Sequence, residues 1–153
     1  MLKKIAFIFA SGFGVGTAPV ASGTFGSLLG IVLFWWLLVP LPATLQILII
    51  SIVFVLGVYT SSIVEKDLGK DPSEVIIDEV VGQWIALLFI PHDRVIPQAI
   101  AFFAFRFFDI TKIPPAKQFD RMTGGIGIMM DDVVAGIYAN ILVQILFRVL
   151  GWI

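Results

Sequence analysis

The chain has 153 residues and a net charge of −1; 59% of its residues are hydrophobic, only 14% are charged, and its mean hydropathy is +1.03. A soluble domain carries about 25% charged and 45–50% apolar residues, so the composition points to lipid, and the absence of any basic stripe argues against a nucleic-acid partner. Cysteine is absent and His92 is the one histidine, which removes disulfides, thiolate nucleophiles, Cys-ligated zinc and a Ser-His-Asp triad and leaves the chemistry to carboxylates, hydroxyls, Lys and Arg.

In chain order, Lys3 and Lys4 precede a six-residue apolar run, Ile5 to Ala10, which is shorter than a signal-peptide core and is broken at once by glycines. Residues 25–39 and 45–63 are apolar and uncharged, and Pro40-Leu41-Pro42-Ala43-Thr44 joins them, which predicts a transmembrane hairpin. Ser22-Gly23-Thr24-Phe25-Gly26-Ser27 opens its first limb. The Thr24 and Ser27 hydroxyls and the free N–H groups of a helix start suit a phosphate, although small residues here would equally serve helix packing.

Residues 65–79 carry eight charged side chains and form an aqueous loop. Asp71-Pro72-Ser73-Glu74 has the signature of a helix start, with Asp71 as cap, and the predicted helix runs through Asp78 and Glu79 to Ile90. Two adjacent carboxylates at the start of an apolar stretch repel one another and lose solvation. They either sit in a solvated interfacial turn or are compensated, most simply by Mg²⁺.

Pro91-His92-Asp93-Arg94 then breaks the chain and is read as a structural cap. The next apolar block, residues 95–108, ends in Arg106-Phe107-Phe108-Asp109-Ile110-Thr111-Lys112, whose spacing of three aligns Arg106, Asp109 and Lys112 on one helical face. They form either an ion-pair ladder or a wall in which Arg106 and Lys112 hold phosphate oxygens while Asp109 ligates metal or acts as general base. Gly124-Gly125-Ile126-Gly127-Ile128-Met129-Met130-Asp131-Asp132 leads into the last apolar segment, residues 133–150, placing a second acidic pair at a helix start.

The basic residues Lys3, Lys4, Lys66, Lys70, Arg106, Lys112, Lys117 and Arg121 fall in alternate loops. The positive-inside rule places those loops, and with them both acidic pairs, on the cytoplasmic side of a multi-pass protein of the bacterial inner membrane. The expected fold is an all-α integral membrane bundle with about four membrane-embedded helices and short interfacial helices, one domain over residues 1–153. Within it, Asp78, Glu79, Asp131 and Asp132 are expected to bind one or two Mg²⁺. A dehalogenase-type aspartyl nucleophile is disfavoured because Asp109-Ile110-Thr111 lacks the second acid of that motif, so metal-activated hydrolysis is preferred.

Taken together, the Ser22 to Ser27 segment, Asp71-Pro72, Ile77 to Ile85, Phe105 to Lys112 and Gly124 to Asp132 resemble the phosphatidylglycerophosphatase A family of bacterial lipid phosphatases. Two positions depart from the family pattern: Ser22 stands where Pro usually precedes Gly-Thr, and Ile113 stands where Pro usually follows the Lys. The resemblance implies an all-helical fold, Mg²⁺ dependence and a lipid substrate, phosphatidylglycerophosphate, whose terminal phosphate is removed to give phosphatidylglycerol; no protein partner is deducible. The rival readings are a phosphatase of another lipid phosphate and a small ion or proton transporter. The transporter is disfavoured because the middle of every span is uncharged.

Overall fold

The proline- and glycine-rich breaks of the sequence become the joints between helices in the computed structural model, which describes residues 1–151. The helices are α1 (Leu2–Ala10), α2 (Ser22–Leu33), α3 (Ala43–Leu68), α4 (Ile77–Leu87), α5 (Val95–Thr111), α6 (Ala116–Asp120) and α7 (Gly125–Val149), and no strand occurs among the described residues. The last turn of α2 widens into a π-helical segment, Phe34–Leu38, before the Pro-rich turn. The single domain expected over 1–153 therefore has its final two residues outside the described ones.

Two helices, α3 and α7, are long and apolar enough to cross a bilayer, fewer than the four membrane-embedded helices expected. The 26 residues of α3 span about 39 Å at the helical rise. The apolar helix from Ser22 to Leu38 falls just short of that test, and α4 is far shorter. Both long helices turn apolar side chains outward: Leu48, Ile52 and Val55 on α3 and Ile141 and Ile145 on α7 are exposed. Such continuous apolar surface is rare on a soluble monomer.

Helix α4 sits at the centre, with nine of its eleven residues buried. It starts later than the sequence signature suggests. Asp71 caps no helix but adopts a left-handed conformation, φ 47°, and α4 begins at Ile77, where the Ile76 N–H donates to the Ala10 carbonyl at the end of α1. The local cap signal at Asp71 and Pro72 loses to this tertiary bond.

The packing of α4 against its neighbours is close because glycines line it. Trp84 Nε1 donates to the Gly30 carbonyl of α2 at 2.8 Å. On the other side, a Cβ at Gly136 of α7 would lie 2.4 Å from the Gly82 carbonyl oxygen. Asn140 of α7 donates to the Ile85, Ala86 and Leu88 carbonyls, satisfying the end of α4 that would otherwise leave buried acceptors open. At its own start, α7 is held by α3: Gly124 N–H donates to Glu65 Oε2 at 2.6 Å and Gly125 N–H to Ser62 Oγ at 2.8 Å.

The Pro91 to Arg94 turn is closed by Gln98, whose amide donates to the Pro91, His92 and Arg94 carbonyls. The His92 ring packs on Phe34 and Trp35. It is a structural turn, as the sequence suggests.

Candidate active site

Helix geometry brings four separate sequence blocks to one cavity of about 230 Å³, lined by Ser22, Asp71, Pro72, Ser73, Val75, Asp78, Glu79, Asp109, Lys112, Asp131 and Asp132. Asp78 and Glu79 occupy the first turn of α4. Asp131 and Asp132 lie in the second turn of α7, deeper than a helix cap, where both are buried.

Asp78, Glu79 and Asp132 each present a carboxylate oxygen, and the three atoms lie within 4.8 Å of one another. Asp78 Oδ1, Glu79 Oε2 and Asp132 Oδ2 are buried without a hydrogen-bond partner. Unpaired buried carboxylates this close repel strongly and have lost their solvent. An oxygen-only donor set of this kind fits a hard divalent cation, which takes carboxylate oxygens and keeps some of its waters.

Asp131 is not in that group, although the sequence reading pairs it with Asp132 as a ligand. Its Oδ2 accepts from Lys112 Nζ and its Oδ1 from the Asp132 N–H at 3.1 Å. Consecutive helical residues point about 100° apart, so only one member of the pair can face Asp78 and Glu79 squarely. Lys112 reaches Asp131 because it leaves α5 in a left-handed conformation, φ 46°, and it also pairs with Asp120 of α6 at 2.9 Å. Burial works against the Lys112 ammonium, but its hydrogen bonds to Asp131 and Asp120 outweigh that and hold its pKa above the usual lysine value.

The expected face of Arg106, Asp109 and Lys112 is thus split at the helix end. Arg106 and Asp109 pair within α5 at 2.7 Å, and both are mostly buried. Arg106 Nη1 also lies 3.5 Å from Ser27 Oγ, and Arg106 Nε has no partner. Ser27 is fully buried and donates to the Gly23 carbonyl, so it supports Arg106 from behind and does not open into the cavity. Thr24, half-buried in the first turn of α2, is not among the residues lining it.

Gly23 explains how α2 comes so near. A Cβ there would lie 2.4 Å from Glu79 Oε1 and 2.9 Å from Arg106 Nη2, so the helix start can press against both side chains only with glycine at this position. The sequence reading has Ser22 within its phosphate-suited segment but singles out Thr24 and Ser27 there, passes over Ser73, and takes Asp71 as a cap. The available signal for Asp71 was the crowding of acids around Asp71-Pro72 in a loop between apolar segments.

Acids with unpartnered buried oxygens, a guanidinium beside them with spare donors and an ammonium on the cavity wall are the parts of a site that handles phosphate, and the chain is a phosphatase whose two long apolar helices fit a membrane protein. It belongs to the phosphatidylglycerophosphatase A family, whose family model matches residues 8–147.

The chain is similar to three named proteins, two of which carry the family's name. A Bacteroides thetaiotaomicron protein, provisionally named a phosphatidylinositol-3-phosphatase, is 40% identical over 98% of this chain and 100% of its own length. The proteins named phosphatidylglycerophosphatase A of Escherichia coli and Haemophilus influenzae are each 40% identical. The first covers 85% of this chain and 76% of its own length, the second 93% and 91%. No solved structure matches the chain.

Proposed function

We propose that this protein removes the terminal phosphate of phosphatidylglycerophosphate, giving phosphatidylglycerol and inorganic phosphate as a step of phospholipid biosynthesis, with Mg²⁺ as its cofactor. The observation that carries the metal-dependent reading is the trio of unpartnered oxygens on Asp78, Glu79 and Asp132. The names of the Escherichia coli and Haemophilus influenzae relatives favour this substrate.

Asp78, Glu79 and Asp132 would hold the metal, which supplies charge neutralisation at the phosphoryl group and a more acidic water. Arg106, although not among the residues lining the cavity, would hold phosphate oxygens through the donors that Asp109 leaves free. A guanidinium has five N–H donors, and the pair with Asp109 fixes its plane. Lys112 has three, of which Asp131 and Asp120 take two, so one N–H remains for the substrate on the cavity wall. Asp109 and Asp131 in this scheme are positioning residues, each held by the cation it orients. Ser22, which lines the cavity at the start of α2, would add a helix-start N–H donor.

The reading extends to the bilayer. With α3 and α7 crossing it and α2, α4 and α5 embedded beside them as one domain, the acidic cavity lies at the interface, where a headgroup reaches it without the lipid leaving the membrane. Lys3, Lys4, Lys66, Lys70, Lys117 and Arg121 in the loops of that end support a cytoplasmic-face orientation in the bacterial inner membrane by the positive-inside rule.

The Bacteroides relative's name favours a second substrate, a phosphoinositide 3-phosphate. Both candidates are phosphate monoesters on a lipid headgroup. Purified protein in detergent, offered each lipid with and without Mg²⁺ and assayed for phosphate release, decides between them. Faster release from phosphatidylglycerophosphate that depends on Mg²⁺ is the expected result. Preference for the inositol lipid would replace the substrate, and metal-independent release would remove the proposed site.

A further inference from the structure

Among the described residues three glutamines are buried, and two of them hold turns closed. Gln46 donates to the Leu38 and Leu41 carbonyls, while Gln98 donates to the Pro91, His92 and Arg94 carbonyls and accepts from Trp35 Nε1. Gln83, in the middle of α4, is fully buried, yet neither its Oε1 nor its Nε2 has a partner. A buried amide left unpaired is costly, and an apolar side chain of the same length would fill the space without that cost. Packing therefore gives no reason for glutamine at this position.

Its surroundings give one. Gln83 stands one turn beyond Glu79 on α4, and both face the glycine edge of α2: a Cβ at Gly26 would lie 3.2 Å from Glu79 Cβ, and one at Gly30 would lie 3.1 Å from Gln83 Cβ. Residues four apart on a helix are neighbours, and helical side chains lean toward the N-terminus, so the Gln83 amide is carried back toward the turn of Glu79. Arg106 enters the same seam from α5, with Nη2 2.9 Å from the place a Gly23 Cβ would take and Nη1 3.5 Å from Ser27 Oγ. The polar atoms left open there are complementary: Glu79 Oε2 lacks a donor, Arg106 Nε lacks an acceptor, and one amide offers both.

We propose that Gln83 is a positioning residue of the acidic site, donating through Nε2 to Glu79 Oε2 and accepting through Oε1 from Arg106 Nε when metal and phosphate are bound. The inference rests on the metal-dependent phosphatase reading. Gln83 does not line the cavity, so it acts through the acid and the guanidinium that it fixes. Hydrogen bonds of this kind are often long in a free enzyme and tighten in its complex. Groups that orient metal ligands from behind govern metal affinity or activity by about 10- to 100-fold.

The test uses the whole chain in detergent. Gln83→Met keeps the length of the side chain and removes both polar atoms. Its melting temperature in EDTA should equal or exceed that of the wild type, because an unpaired amide has left the core. The Mg²⁺ concentration that half-saturates the rise in melting temperature should increase about tenfold, and kcat/KM for phosphate release should fall about 10- to 100-fold. In an Arg106→Met background the further fall should be smaller, since the two residues act together. A Gln83→Met variant with the wild-type Mg²⁺ midpoint and wild-type kcat/KM would overturn the role. So would one that melts well below the wild type in EDTA with an unchanged midpoint, which would make Gln83 a packing residue. Wild-type protein whose melting responds to Mg²⁺ but which releases phosphate from no lipid would overturn the phosphatase reading instead, and the Mg²⁺ midpoint alone would then decide on Gln83.

Discussion

Lys112, turned left-handed at the end of α5, donates to the carboxylate of Asp131 on α7 and thereby joins the two helices across the cavity mouth. The pair also keeps Asp131 apart from Asp78, Glu79 and Asp132, each of which has one buried carboxylate oxygen without a partner. Its disruption separates positioning from metal binding. Lys112→Met is expected to lower phosphate release about 10- to 100-fold, through loss of a substrate-phosphate donor and of the bond that orients Asp131 beside the metal ligands, with Mg²⁺ affinity changed less than in an Asp132→Asn variant. Lys112→Arg should recover part of the loss. A Lys112→Met enzyme with wild-type kcat would refute the role.

The trio of Asp78, Glu79 and Asp132 places function against stability. Asp78→Asn, Glu79→Gln or Asp132→Asn should each reduce phosphate release by at least about 10²-fold if these acids hold the metal. Each also removes one of three mutually repelling buried charges. In EDTA the melting temperature of each variant should therefore equal or exceed that of the wild type, by up to a few degrees. Melting that falls in all three variants would mean these carboxylates stabilise the fold in some other way.

Mg²⁺ should act as a stabilising ligand of the folded chain. Raising it to 100 times its dissociation constant adds about 2.7 kcal/mol in the wild type, read as a concentration-dependent rise in melting temperature. That rise should vanish in Asp132→Asn and persist in Asp109→Asn, because Asp109 is paired with Arg106. Persistence in both variants would move the metal elsewhere.

Two glycines should separate site from scaffold. Gly23→Ala thrusts a methyl group to within 2.4 Å of Glu79 Oε1 and 2.9 Å of Arg106 Nη2, both ends of side chains that can yield, so activity should fall with little change in melting. Gly136→Ala meets the Gly82 carbonyl at 2.4 Å, where backbone must move, and should cost about 1–3 kcal/mol of stability. Thermal melts alongside phosphate release distinguish the two; a reversed pattern would contradict the packing described.

Much of the site was legible because adjacent acids at the start of apolar segments are costly wherever they occur. Asp78-Glu79 and Asp131-Asp132 stood out for that reason, and the alternation of basic loops put both pairs at one end, where the structure has them. What the residues did not disclose was rotation. Whether Asp131 or Asp132 faces Asp78 depends on how α7 is turned about its axis, and the Gly82–Gly136 contact and the Glu65 and Ser62 bonds at its start constrain that turn. The start of α4 was misread for a related reason: Asp71 and Pro72 carry a convincing local signal, yet Ile76 is claimed by Ala10, far away in sequence. The π-helical turn at Phe34 to Leu38 leaves no mark in an all-apolar stretch.

The contact between Gly82 and Gly136 bears on how the sequence can drift. Main chain meets main chain there, so the spacing of α4 and α7, and with it the separation of Asp78 from Asp132, is not set by any side-chain volume that a substitution could enlarge or trim. Outward residues such as Ile141 and Ile145 make no such contact and can exchange freely among apolar types. The two glycines cannot, and a chain that lost either would have to re-space its acids before it could vary anything else.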